Sequence, residues 1–131
     1  MLRERALKVV LVLVGLLFVA GVYPIATDFL SGNPPEAGDD MMMGLYVTLG
    51  VFLLLAVRNP AAHHSLIAFA AWSSFAHAAV MSGLGFLPKE ASERTGFLGG
   101  SAVLVVIGII LLALAPARPS EKLASAVAPG A

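Results

Sequence analysis

The sequence predicts an all-α integral membrane protein, in which four antiparallel helices form an up-and-down bundle and both termini lie in the cytoplasm. Two observations support this fold class. Hydrophobic side chains make up 59% of the 131 residues and charged side chains only 12%, about half of the roughly 25% that is usual in soluble domains. The apolar residues also form four long runs that contain no Asp, Glu, Lys or Arg. Lipid is therefore the expected solvent for most of the chain.

Each run is long enough to cross a hydrocarbon core about 30 Å thick, which takes roughly 20 helical residues. Because lipid offers no partner for free backbone groups, such continuous runs must be helices, whereas barrel strands would alternate at period two. The predicted spans are residues 9–26, 41–57, 66–87 and 97–115. We expect one membrane domain, residues 1–131, which ends in a cytoplasmic tail at residues 116–131.

The four spans differ in the residues that interrupt them. The first has only Tyr23 and Pro24 near its end, and the second only Tyr46 and Thr48. The third is the most polar, with Trp72, Ser73, Ser74, His77 and Ser82. The fourth has Ser101 alone.

Turn-forming residues separate the spans. A Ser-Gly-Asn-Pro-Pro segment at residues 31–35 follows the first span, and Arg58, Asn59 and Pro60 follow the second. Pro88 follows the third span, and Pro116 and Pro119 follow the fourth. Proline cannot continue a helix, so these positions mark helix ends.

The distribution of cations predicts the orientation, since short loops rich in Lys and Arg stay on the cytoplasmic side. With both termini inside, the cytoplasmic side holds most of the cations. These are Arg3, Arg5, Lys8, Arg58, Arg118 and Lys122, whereas Lys89 and Arg94 lie outside.

Composition also excludes several functions. The formal net charge is zero, which leaves no basic surface for nucleic acid. Cysteine is absent, which excludes disulfides, thiolate metal sites and cysteine nucleophiles. The chain has no Gly-rich phosphate loop, HExxH motif or carboxylate dyad, so a non-enzymatic protein without a cofactor is expected.

Small residues predict where the helices pack, because helices in lipid associate through close backbone approach and interhelical hydrogen bonds. One stripe runs along the third span and another along the fourth. The predicted packing residues are Ala70, Ser74, Ala78, Ser82, Gly96, Gly100 and Gly108. One stripe could also be the face of a homo-oligomer or of a partner subunit.

His77 is the ionisable residue deepest within a span, and it defines a candidate intramembrane polar site with Ser73, Ser74, Trp72 and Met81. Ser73 and Met81 lie one turn before and after His77, so the three share a face. The simplest interpretation is a neutral histidine that hydrogen-bonds between helices. Trp72 is expected to pack within the bundle or to face a ligand.

Three other interpretations of His77 remain open. A proton or ion relay would use Asp28 as its second group, through water. A haem site would use His63, fourteen residues before His77, with further axial ligands from another chain. A copper site would combine His77 and Met81 with Met41, Met42 and Met43, whose thioethers suit Cu(I).

Several segments resemble a family of small bacterial membrane proteins that is known as a domain of unknown function. These are residues 3–8, 45–50, 58–60, 65–81 and 105–108. The resemblance covers most of the chain and implies a four-helix protein of the bacterial inner membrane. It places Trp72, Ser73, Ser74 and His77 in the most recognisable segment.

The sequence thus favours a multi-pass accessory or interaction subunit of a larger membrane complex. The alternative is a small transport or ligand-handling protein centred on His77, whose ligand would be a proton or ion, haem, copper or a hydrophobic molecule.

Overall fold

The computed structural model describes residues 2–32, 37–87, 90–116, 123–124 and 126–127. The described residues form helices and turns, with no strand among them. The helices are α1 (Leu2–Val19), α2 (Val22–Ser31), α3 (Ala37–Ala56), a 3-10 turn (Pro60–His63), α4 (His64–Gly85) and α5 (Ala91–Leu114). The predicted all-α fold is therefore confirmed.

Four helical segments are long and apolar enough to cross a membrane, the same number as the predicted spans. They are Leu2–Ser31, Asp39–Ala56, Pro60–Gly85 and Ala91–Leu114. The largest difference from the predicted bounds lies at the charged start of the first helix. The first helix begins at Leu2 rather than at residue 9, and Lys8 Nζ lies 3.1 Å from Glu4 Oε1 one turn away. An apolar run marks only part of a helix, and an ion pair between residues four apart can stabilise a further turn beyond that run.

Some predicted features fall outside the described residues. These are the Asn-Pro-Pro part of the loop at residues 31–35, Pro88, Lys89, Arg118, Pro119, Lys122 and most of the tail at residues 116–131.

The first membrane-length segment is interrupted at Ala20 and Gly21, between α1 and α2. Pro24 explains the interruption, because it has no N–H to donate to the carbonyl four residues earlier, and its ring clashes with that carbonyl. The carbonyl is that of Ala20, which instead accepts the N–H of Tyr23 at 3.0 Å. Pro24 itself lies in the first turn of α2, where a missing N–H costs little.

The chain divides into two compact units, Met1–Asn59 and Pro60–Ala131. In the first unit, α1 and α3 are antiparallel. An ideal Cβ on Gly15 would lie 3.1 Å from the Gly50 carbonyl oxygen, and one on Gly21 would lie 3.0 Å from Met43 Cγ. Between these levels, Phe18 packs edge-on against Tyr46, with ring centroids 4.9 Å apart. From one contact to the next, the residue numbers therefore rise along α1 and fall along α3, as in an antiparallel pair.

Buried residues recur at every third or fourth position of α1, as expected for a helix that packs along one partner. It consists of Leu7, Leu11, Val14, Gly15 and Phe18. The opposing residues of α3 are Leu49, Gly50, Leu53 and Ala56. The other sides of both helices expose large apolar side chains, such as Leu13 and Phe52.

In the second unit, α4 and α5 are also antiparallel. An ideal Cβ on Gly85, at the end of α4, would lie 3.2 Å from Leu98 Cδ2 near the start of α5. Further along, Met81 lies over Gly100, and Phe75 lies over Gly108. This register sets which polar and small residues of the two helices meet.

Candidate functional site

The small residues of α4 form its buried side. Ala70, Ser74 and Ala78 are buried, and Ser82 is half-buried. A hydroxyl in lipid must find an acceptor, and Ser74 donates to the Ala70 carbonyl of its own helix at 2.7 Å. The buried side of α4 therefore has small side chains, and its Ser74 hydroxyl is satisfied within the helix.

A hydrogen-bonded link joins α4 to α5 through Ser101. The Ser101 hydroxyl lies 2.8 Å from the Ala78 carbonyl oxygen, to which it donates, and it also hydrogen-bonds to the Ser82 hydroxyl. Ser101 is only 4% exposed. Three residues of the two helices are thus connected by polar contacts inside an apolar environment, where such contacts hold helices together.

The glycines of α5 differ in what they contact. A Cβ on Gly108 would lie 2.6 Å from Phe75 Cε1, and one on Gly100 would lie 2.9 Å from Met81 Cε. Gly96, in contrast, is exposed, and a Cβ there would meet nothing within 4 Å. The register explains this difference, because Gly96 is level with Phe86, after α4 has ended at Gly85. The two glycines of the GxxxG pattern, Gly96 and Gly100, therefore do not both contact α4.

His77 is half-buried on α4, and its Nδ1 atom is shielded from solvent. Ser73, one turn before, donates to the Ala70 carbonyl at 3.1 Å. Met81, one turn after, packs over Gly100 of α5. These three residues lie at one edge of the contact between α4 and α5.

Trp72 does not share the face of His77. Its side chain is 63% exposed, and its ring packs edge-on against Phe75, with centroids 5.6 Å apart. Trp72 is two positions from both Ala70 and Ser74, which turns it about 200° from the buried stripe. Trp72 is therefore not packed in the contact between α4 and α5.

Trp72 belongs to what we call the outer face of α4. Its members are exposed and lie opposite the buried stripe: Phe69, Trp72, Ala76, Ala79 and Gly83. The face combines two large aromatic side chains with three positions that have little or no side chain.

The histidines and methionines considered as ligands are placed separately. His63 is exposed in the 3-10 turn before α4, so it is not on the same α-helix as His77. Met41 and Met42 are exposed near the start of α3, and Met43 lies against Gly21 within the first unit. Asp28 is half-buried in α2. Among the described residues, no three His, Asp or Glu side chains are grouped so that they could hold a metal ion.

Gly15 and Gly50 were not among the predicted packing residues, yet they form the closest approach of α1 and α3. A Cβ on Gly50 would lie 2.8 Å from the Gly15 carbonyl oxygen and 3.0 Å from the Val19 nitrogen. The available signal was the presence of glycines in both apolar runs, two in each, since glycine in a span often marks a helix contact.

We expect Ser101→Ala to destabilise the α4–α5 pair by about 1–2 kcal/mol, because interhelical hydrogen bonds in membrane proteins contribute roughly 0.6 and up to about 1.7 kcal/mol each. The measurement is unfolding in detergent followed by the fluorescence of Trp72, the one tryptophan of the chain.

Ser74→Ala is the matched control, since Ser74 is equally buried but bonds only within α4. A change of less than about 0.5 kcal/mol is expected for it. Equal effects of the two substitutions would show that the link through Ser101 does not hold the helices together.

Comparisons with known proteins agree with the expected resemblance. No curated protein and no solved structure matches this chain. The model of one protein family, described as a family of unknown function (DUF6632), matches residues 2–126. The predicted membership of an uncharacterised domain family is thereby confirmed. With nearly the whole chain matched, this helical protein with four candidate membrane spans belongs to the DUF6632 family.

Proposed function

We propose that the protein is a non-enzymatic, integral protein of the bacterial inner membrane that acts as an accessory subunit and binds a partner helix through the outer face of α4. Its four spans would form an antiparallel bundle with both termini in the cytoplasm. The observation that carries this proposal is the exposed Trp72 in the middle of α4.

The depth of Trp72 is unusual for a side chain in contact with lipid. It lies eight residues after the start of α4 and thirteen before its end, or about 12 Å and 20 Å along the axis. Tryptophan in membrane proteins is enriched at the headgroup level, where its N–H is hydrated. Among acyl chains the indole N–H would have no acceptor, whereas a partner helix can supply one.

The shape of the outer face of α4 also suits a helix. Ala76, Ala79 and Gly83 leave room for close backbone approach beside the large rings of Phe69 and Trp72. The exposed side of α5 also has small residues, namely Gly99, Ala102 and Ala113, but its large exposed side chains are aliphatic, such as Val103, Val106 and Ile109. These aliphatic side chains are suited to acyl chains, because they have no polar group that needs an acceptor.

Three hydroxyls of the second unit support a structural role. Those of Ser74, Ser82 and Ser101 are used in hydrogen bonds within α4 or between α4 and α5. The proposed orientation is supported by the excess of Lys and Arg in the segments assigned to the cytoplasm.

Site-specific photocrosslinking in native membranes tests the proposal. A photoreactive amino acid in place of Ala76 is expected to form an adduct of discrete mass with a protein, and Trp72→Ala is expected to abolish that adduct. The same amino acid in place of Val106 is the control, because Val106 is exposed on α5 and level with Ala76 in the antiparallel register.

The control position should give no such adduct. An adduct with a second copy of this chain would identify a homo-oligomer, and one with another protein would identify a larger complex. If both positions give only lipid adducts, or if Trp72→Ala leaves the adduct unchanged, the outer face of α4 is not an interaction surface.

A further inference from the structure

We propose that one end of the α1–α3 pair binds the headgroups of anionic phospholipids. This cationic end consists of Arg3, Arg5 and Lys8 at the start of α1 and of Arg58 just after α3. The partner is a lipid surface that carries negative phosphate groups. This inference is independent of the proposed binding of a partner helix by α4.

The fold brings Arg58 to the other three cations. In the antiparallel pair, Gly15 meets Gly50, and Gly21 meets Met43. When this register is continued to the end of the helix pair, Arg58 is level with Ala6 and Leu7. The chain stays in this position after α3, because the Arg58 N–H still donates to the Leu55 carbonyl, at 3.4 Å. Cations that are about fifty positions apart in the sequence thus lie at the same end of the unit.

The charge at this end is strongly unbalanced. Arg3, Arg5 and Arg58 are exposed, and Lys8 is half-buried. Glu4 is the one acidic residue at this end, and it pairs with Lys8. The other acidic residues of the first unit belong to α2, to α3 or to the segment between them, whereas residues 1–59 contain no Lys or Arg beyond these four. The helix pair therefore has a positive end and a negative end.

The neighbouring side chains favour lipid phosphate over a dissolved anion. Leu2, Val9, Leu13 and Leu55 are exposed within the same few turns as the cations. These apolar side chains are suited to acyl chains, so the cations lie at the depth of the headgroups. Arginine can bind a phosphate through two parallel hydrogen bonds, and its long stem can reach from apolar surroundings to the headgroup.

The test measures the preference of the purified full chain for spin-labelled phosphatidylglycerol over spin-labelled phosphatidylcholine in reconstituted vesicles. We expect wild-type protein to prefer phosphatidylglycerol and to lose this preference as salt is added, because exposed charges are screened. Arg5→Gln and Arg58→Gln should each reduce the preference by about fivefold, the effect of one cation near a membrane surface.

Two further variants sharpen the result. Glu4→Gln should increase the preference, because it removes the one negative charge at this end. Asp39→Asn with Asp40→Asn changes charge at the opposite end of α3, so the fivefold effect of Arg58→Gln should be the same with and without this pair of substitutions. Equal binding of the two lipids by wild-type protein would overturn the proposal. So would an unchanged preference in Arg58→Gln, since the fold would then contribute nothing to the site.

Discussion

Gly50→Ala is expected to destabilise the α1–α3 pair by about 1–3 kcal/mol, the usual cost of forcing an extra methyl group into a packed site. The new Cβ would lie 2.8 Å from the Gly15 carbonyl oxygen and 3.0 Å from the Val19 nitrogen. Both atoms belong to the backbone of α1, so no side chain can move to relieve the clash. The two helices would have to separate.

The absence of cysteine provides a direct measurement of this effect. Ala56 is fully buried on α3, so a single cysteine at that position, in an otherwise cysteine-free chain, reacts with a maleimide only when the helices open. The Gly50→Ala substitution should accelerate this labelling in detergent.

Gly44→Ala is the matched control for Gly50→Ala. It lies on the same helix, but a Cβ there would meet nothing within 4 Å. Alanine favours a helix over glycine by about 1 kcal/mol, so Gly44→Ala should be neutral or stabilising. Equal labelling rates for the two variants would show that the contact between Gly15 and Gly50 does not hold the pair together.

Gly108→Ala is expected to destabilise the α4–α5 pair by about 1–2 kcal/mol, less than the upper end of the usual cost of overpacking, because the clash is with a side chain that can move. Its Cβ would approach three atoms along one edge of the Phe75 ring, at 2.6 to 3.0 Å. That ring also packs edge-on against Trp72. A displaced Phe75 should therefore change the fluorescence of Trp72 as well as lower the stability of the helix pair.

A double-mutant cycle isolates the contact between Gly108 and Phe75. In a Phe75→Ala background, Gly108→Ala should cost much less, because the ring that it would strike is gone. Gly99→Ala is the control on α5, since a Cβ there would meet nothing within 4 Å. An equal cost of Gly108→Ala with and without the Phe75 ring would contradict this account.

The helical spans could be predicted because hydropathy is a local property of the chain. The four apolar runs lie within or close to the four membrane-length segments. Their ends were less predictable, because charged turns such as the one with Glu4 and Lys8 continue a helix beyond its apolar part. The interruption after Val19 follows from Pro24 once the carbonyl of Ala20 is considered.

The packing residues were harder to predict, as the glycines illustrate. The sequence does not distinguish Gly96, Gly100 and Gly108, because all three are glycines in one apolar helix. In the structure, only Gly100 and Gly108 lie against α4. Gly15 and Gly50 lie in different spans, and only the pairing of those spans brings them together. Trp72 likewise could face inward or outward until the position of α5 was known.

The sequence by itself determined that this chain is helical and has four segments suited to a membrane, because the cost of exposing backbone and polar groups to lipid acts on each segment separately. Only the tertiary structure decided that Gly15 meets Gly50, that Ser101 binds Ala78 and Ser82, and that Arg58 joins the cations of α1. These contacts depend on the register of two helices, which is set by side-chain shape and hydrogen bonding between residues far apart in the chain.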